Sequence, residues 1–343
     1  MSRFTDLPAN EQEVYVRETA ARLNVAPQIV EKDFWVCWTL RLLFSHPPFA
    51  RDLVFKGGTS LSKVFKVIGR FSEDIDLSIG LPLLGYDESF LAAAASTSQT
   101  RRHLEQIVER CAAYVQTEFR QTLEAAVRAV LGVRSGGGDW LEYELEAATK
   151  SPVLRLRYPA AIAPEPSASY IEQSVKMELG SLIDQRPVGT HRVAPLIAEI
   201  VAEGTFEDFA GGVVALEVER TFWEKATILH AEFHRPPTQP LKDRMARHYA
   251  DFAALWRHPS SRSSRSRLDL LERVASFKAR FYPSKWARYD LARPGTLRLL
   301  PAEGRTAELA TDYRRMAVMY FQQPAAFADI VAALRQAEEV ING

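Results

Sequence analysis

Between Phe55 and Gly80 the chain reads FKGGTSLSKVFKVIGRFSEDIDLSIG, and its last seven residues alternate strictly. Ile75, Leu77 and Ile79 fall on one side of an extended chain, and Asp74, Asp76 and Ser78 fall on the other. The stretch therefore predicts a strand with one buried face. It sets two carboxylates two residues apart on the other face. Charges on a half-buried strand are costly unless something compensates them. Two carboxylates on one face are close enough to share a divalent cation such as Mg²⁺.

The residues upstream add a second chemistry. DLVFKGG reads as a short buried strand ending at a glycine pair, Gly57 and Gly58. A glycine turn entering a helix lets backbone N–H groups approach a phosphate, and the helix N-terminus favours an anion. Leu61, Val64, Phe65 and Ile68 recur at helical spacing, which predicts a helix running to a stop at Gly69.

Helices are predicted over 10–23 and 27–45, the second rich in aromatics, and long helices over 87–132 with a break near Ser96–Thr100. WLEYELEA and VLRLRYP both alternate and are separated by ATKSP. They predict a hairpin whose Glu142, Glu144 and Glu146 face Arg155 and Arg157. SVKMELG puts Val175, Met177 and Leu179 on one face and Lys176 and Glu178 on the other. From Glu217 the pattern turns helical, with helices near 217–234, 241–257, 265–281, 306–321 and 325–341. HPSSRSSRSR reads as a solvated linker.

Composition bounds these readings. The 343 residues allow about two domains. Lys and Arg (43) balance Asp and Glu (43), which argues against a wholly basic, nucleic-acid-coating surface but not against a local basic groove. No apolar run approaches the roughly 20 residues needed to span a bilayer, and the N-terminus lacks a secretory apolar region. Cys37 and Cys111, far apart, are expected reduced in packed helices, which suits a cytoplasmic protein.

GGTSLSKVFKVIGRFSEDIDL resembles the first motif of the AbiEii/AbiGii nucleotidyltransferase toxin family, within the DNA polymerase β-like nucleotidyltransferases. VKMEL resembles the second motif, with its acidic residue at Glu178. RTFWEKATILH resembles the third, with its lysine at Lys225, and RMARHYADFAAL the fourth, with Arg247 and Asp251. Many members carry an acidic residue directly after that arginine, where this chain has His248. The four motifs occur in order over roughly residues 30–260.

The resemblance implies an α+β fold: a polymerase-β-like nucleotidyltransferase core with a small mixed sheet, plus a C-terminal helical bundle. The expected domains are N-terminal helices over 1–50, the core over 51–215 and the helical lobe over 216–343, which forms the other wall of the cleft. It implies catalytic roles for Asp74, Asp76, Glu178, Lys225 and Asp251. Asp74, Asp76 and Glu178 would converge near the glycine turn and hold Mg²⁺, with Mn²⁺ as the alternative. Gly57, Gly58, Thr59, Ser60, Lys225, Arg244 and Arg247 would bind the nucleotide phosphates. On a helix from 241, Arg244, His248 and Asp251 share a face. The implied substrate is a nucleoside triphosphate, the acceptor RNA (the tRNA 3′ end) and the partner an antitoxin encoded beside the toxin, with no membrane involved.

Blander readings stay open residue by residue. Glu178 pairs with a cross-strand arginine, Lys225 is a surface lysine, Arg70 is a loop charge, and Arg247 with Asp251 is an i,i+4 pair contributing about 0.2–0.5 kcal/mol. Two other functions use the same sequence: transfer to a small-molecule or protein hydroxyl, and a non-catalytic nucleotide-binding module. GGTSLSK lacks the spacing of a P-loop, GGGD at 136–139 reads as a turn, and HAEFH lacks glutamate directly after His230, so His230 and His234 are not read as zinc ligands.

Overall fold

A computed structural model describes residues 2–87, 89–90, 96–147, 149–164, 171–181, 184–202 and 204–343. The expected helical start over 87–96 lies partly outside them. The chain forms two compact units: Met1–Val64 with Ser72–Ala215, and Phe65–Phe71 with Leu216–Gly343. The seven residues Phe65–Phe71 thus belong to the second unit, although the chain on both sides of them belongs to the first.

The first unit is a mixed seven-stranded sheet with helices. Helices α1 (Ala9–Leu23) and α2 (Pro27–Ser45) precede strand β1 (Leu53–Lys56) and the seven-residue helix α3 (Gly57–Lys63). Strand β2 (Ile75–Ile79) carries the aspartate segment. Helices α4 (Thr97–Tyr114) and α5 (Arg120–Leu131) follow, with Ser96 accepting from the Gln99 N–H as N-cap of α4. Strands β3 (Leu141–Leu145), β4 (Pro152–Leu156), β5 (Val175–Gly180), β6 (Val188–Val193) and β7 (Gly211–Leu216) complete the sheet in the order β3-β4-β5-β2-β1-β7-β6.

The hairpin forms as expected, with Glu142 opposite Arg155 and ion pairs Arg157–Glu142 and Arg155–Glu144. Strand β2 runs antiparallel to β1 and parallel to β5. Ile75, Leu77, Met177 and Leu179 are fully buried, which is the apolar half of both alternations. Beneath them α2 contributes Phe34, Trp35 and Trp38, and Trp35 stacks on Tyr158.

The second unit is helical: α6 (Val218–Phe233), α7 (Ala246–Arg257), α8 (Leu268–Phe281), α9 (Thr306–Arg315) and α10 (Phe327–Asn342). The serine-arginine stretch expected to be a solvated linker is partly packed. It forms two short 3-10 turns with Ser261 and Ser264 buried, and Arg265 lies 3.7 Å over the Trp256 ring. The helix expected to run to Gly69 ends at Lys63. Lys66 takes a left-handed conformation (φ 55°), and the chain then extends. The Phe71 N–H donates to Met319 (2.7 Å) and the Phe321 N–H to Gly69 (3.1 Å), while Val67, Ile68 and Phe71 are buried. Of the apolar residues that looked like one helix face, Leu61 and Val64 stay with the first unit, while Phe65 and Ile68 lie in a strap belonging to the second.

Candidate active site

Strand pairing sets the carboxylates of the first unit. Asp76 is the register partner of Glu178 on β5 and of Lys56 on β1, so these three share one face of the sheet. Asp74 immediately precedes β2. Burial raises the Asp74 pKa to about 6, with Glu73, Glu178 and Asp76 adding to the rise and Lys176 opposing it. The Lys176 ammonium pairs with Glu178, so a lysine two residues away, not a cross-strand arginine, is its counter-charge. Among the described residues no three His, Cys, Asp or Glu side chains stand in ligating geometry. The three expected ligands therefore form a row of two on one face with Asp74 beside it, rather than a closed cage.

The glycine turn is explained by Asp76. Gly57 has φ +79°, and a Cβ there would lie 1.9 Å from Asp76 Oδ2. Only glycine accepts both that conformation and that carboxylate. The Thr59 hydroxyl donates to the Asp74 carbonyl and lies 2.9 Å from the Ser72 hydroxyl, while Ser60 donates to the Gly57 carbonyl (2.8 Å). Both hydroxyls were expected to grip phosphate; here Thr59 ties the turn to the carboxylate segment and Ser60 closes the turn on itself.

Three consecutive charged residues of α2 are buried with partners, two of them on this segment, and the sequence reading passed over them. Asp33 pairs with Lys63, the last residue of α3, and accepts from the Leu196 N–H (2.7 Å). Lys32 pairs with Glu73. Glu31 accepts from the Ala161 and Ile162 N–H groups, and burial pushes its carboxyl up to about 7. The signal was a Glu-Lys-Asp run inside an otherwise apolar helix, because buried charges require partners.

The second unit holds a separate cluster. Arg70 Nε and Nη2 donate to the two oxygens of Asp251 (3.1 and 3.0 Å), and Lys225 Nζ donates to Asp251 Oδ2 (2.8 Å). Arg70 and Asp251 are 3% and 1% exposed, so Arg70 is no loop charge, and Asp251 takes these two cations where an i,i+4 pair with Arg247 was the bland alternative. The Asp251 carboxyl is held far below its ordinary range by Arg70 and Lys225, against the opposing effect of burial. The Lys225 Nζ also lies 3.2 Å from His248 Nδ1. Burial and the neighbouring Lys225 and Arg247 keep the His248 imidazole neutral, well below its ordinary pKa, so Nδ1 accepts.

Helix α7 starts at Ala246, later than expected, and Arg244 precedes it in a left-handed conformation (φ 59°). Arg244 therefore lies outside the helical face shared by His248 and Asp251. Asp312 accepts from the Arg244 and Ala246 N–H groups and caps the start of the helix. His230 is a structural histidine: Nε2 donates to the Arg288 carbonyl (2.9 Å) and Nδ1 accepts from the Arg298 N–H (3.0 Å).

Residues 39–335 match the sequence model of a family described as AbiEii, nucleotidyl transferase toxin of a type IV toxin–antitoxin system. Among curated proteins none matches the sequence. Among solved structures the chain is similar to MenT4, a nucleotidyltransferase toxin from Mycobacterium tuberculosis H37Rv. That match has 17% identity, covers 98% of this chain and 100% of that one, and has a TM-score of 0.43. It is similar also to JHP933 from Helicobacter pylori, with 15% identity, 93% of each chain covered and a TM-score of 0.41.

Proposed function

The chain belongs to the AbiEii nucleotidyl transferase toxin family of type IV toxin–antitoxin systems, and from that premise we propose that it transfers a nucleotide from a nucleoside triphosphate to a hydroxyl of RNA, the tRNA 3′ end being the first candidate. Membership makes it a nucleotidyltransferase with an antitoxin partner and a nucleotide substrate. Among the described residues no helix is long and apolar enough to cross a membrane. Cys37 and Cys111 are buried thiols rather than a disulfide, which fits work in the reducing cytoplasm.

The observation that carries the reading is the Asp76–Glu178 register pair with half-buried Asp74 beside it. Like charges gathered on one sheet face cost free energy unless a cation joins them. Hard carboxylate oxygens fit Mg²⁺ or Mn²⁺. Asp74, Asp76 and Glu178 would hold that cation, which when bound neutralises phosphate charge. The acceptor oxygen attacks the α-phosphorus, the bond from that phosphorus to the bridging oxygen breaks, and pyrophosphate leaves. Glu178 takes the acceptor proton. Lys225, with Arg244 and Arg247, neutralises phosphate charge, since such transfer is mostly positioning and electrostatics. Gly57, Gly58, Thr59 and Ser60 form the turn against which the phosphates lie.

The test is incubation with each labelled nucleoside triphosphate, Mg²⁺ and total cellular RNA. Label should enter RNA with the wild-type protein and not with Asp76→Asn. Label entering a small molecule or a protein instead would replace the acceptor, and no transfer from any of the triphosphates would sink the reading.

A further inference from the structure

We infer that Arg70 is a positioning residue for Lys225: by gripping both oxygens of Asp251, it leaves the cluster with net positive charge and the lysine with one ammonium N–H uncommitted for a phosphate oxygen. The inference rests on the proposed role of Lys225 and concerns a residue that this role does not require.

The donor inventory makes the argument. An ammonium has three N–H donors. Lys225 directs one at Asp251 Oδ2 and one at His248 Nδ1, which leaves one. Were Asp251 facing Lys225 alone, its charge would be cancelled one for one. Arg70 changes that balance, because a guanidinium fork occupies both carboxylate oxygens at 3.1 and 3.0 Å. Two cations against one carboxylate, beside a neutral imidazole, leave the cluster with a net positive charge. The Tyr320 phenol borders the same cluster and is kept protonated by burial.

The backbone is arranged to deliver Arg70. It forms an antiparallel bridge with Tyr320, flanked by the Phe71-to-Met319 and Phe321-to-Gly69 hydrogen bonds, and Arg70 Nη1 donates to the Phe71 carbonyl (3.2 Å). A surface lysine needs no such frame. A carboxylate–lysine pair built only for stability would not need a second buried cation, whose desolvation is itself costly.

The experiment is equilibrium binding, with Mg²⁺ and no acceptor, of the triphosphate that wild-type protein transfers and of the matching monophosphate. Arg70→Gln should weaken triphosphate binding about tenfold and monophosphate binding less than about twofold, since the loss is a charge-assisted contact to the distal phosphates. Arg70→Lys keeps a charge but cannot hold both oxygens, and should weaken the triphosphate about threefold. In a Lys225→Ala background the Arg70→Gln effect should vanish, because it acts through Lys225. Wild-type triphosphate binding in folded Arg70→Gln, equal loss for both ligands, or an effect that persists without Lys225 would each overturn the inference. Should Arg70→Gln fail to fold, Arg70→Lys decides: an unchanged ratio of triphosphate to monophosphate affinity overturns it. Wild-type protein that binds and transfers none of the triphosphates would overturn the proposed function itself, a distinct outcome that removes this inference with it.

Discussion

The sheet unit and the helical unit each gather charged side chains, but in opposite ways. On the sheet, Asp74, Asp76 and Glu178 are like charges with Lys176 paired to Glu178 and Lys56 opposite Asp76, and the Asp74 carboxyl is pushed up to about 6. In the helices, Asp251 sits between Arg70 and Lys225 and its carboxyl is driven far down. One set gathers three carboxylates with one of them raised, which is a cost that a bound cation relieves. The other is saturated with internal partners, and losing the carboxylate leaves two buried cations facing each other. The same chemical change, an aspartate made neutral, should therefore act with opposite sign in the two places.

The largest effect is expected at Asp251. Asp251→Ala leaves two buried cations facing each other and should lower stability by about 3–5 kcal/mol, as measured by denaturant unfolding. A stable Asp251→Ala protein with an unchanged unfolding midpoint would mean that Arg70 and Lys225 find water or other partners, and the contrast would fail.

Gly57→Ala comes next and probes the sheet side without altering a charge. The new methyl would meet Asp76 Oδ2 at 1.9 Å on a backbone at φ +79°. The combined strain and displacement should cost about 2–4 kcal/mol. Transfer should fall together with stability, because Asp76 must move. Transfer at the wild-type rate would show that this position of Asp76 is not the working one.

Acid–base behaviour sharpens the comparison. Asp74, raised from 3.8 to about 6, favours folding when protonated, so its contribution is present below about pH 4 and lost as pH rises to about 6. Asp251 is lowered, so its contribution is present above about pH 4 and lost only in strong acid. Asp74→Asn should therefore stabilise the metal-free protein near pH 7 by about 1–3 kcal/mol and flatten the pH dependence between about 4 and 6. Glu31, raised to about 7, leaves a residual slope of the same sign in both proteins. A loss of stability in Asp74→Asn at pH 7 would show the sheet carboxylates to be compensated already.

The two sets were unequally legible in the sequence. The alternation in DIDLSIG and VKMEL already places Asp76 and Glu178 opposite their buried neighbours, because a strand's period of two needs no tertiary information. Which strands adjoin, and hence that Asp76 and Glu178 are register partners, is tertiary; the family resemblance implied only that the three carboxylates converge. Arg70 was out of reach for another reason. Leu61, Val64, Phe65 and Ile68 fit a helical face, and only the burial of Val67, Ile68 and Phe71 with the second unit turns the segment into a strap. Local periodicity lost there to long-range backbone pairing. The Glu31–Lys32–Asp33 anchors could have been suspected from charge within an apolar helix, but their partners Glu73 and Lys63 could not be named from it.

The smallest expected effect tests what Lys176 does. Its ammonium pairs with Glu178 and lowers the proton affinity of Asp74, so it stands as an internal counter-charge of the carboxylate row. The pair is part-exposed, with side chains 26% and 42% accessible, and exposed pairs contribute little. Lys176→Ala should therefore change stability by less than about 1 kcal/mol without added metal. Its effect on cation binding should be larger, because a divalent ion and the ammonium compete for the same oxygens. The Mg²⁺ concentration giving half the maximal rise in melting temperature should fall about three- to tenfold in Lys176→Ala, and Mn²⁺ should follow the same direction. Asp76→Asn should abolish that rise in either background. A Lys176→Ala protein that needs the same Mg²⁺ as wild type would mean that the ammonium does not compete with the ion, and that Glu178 is not a metal ligand. The catalytic cation would then depend on Asp74 and Asp76 alone, the two carboxylates with which the alternating strand presents the problem.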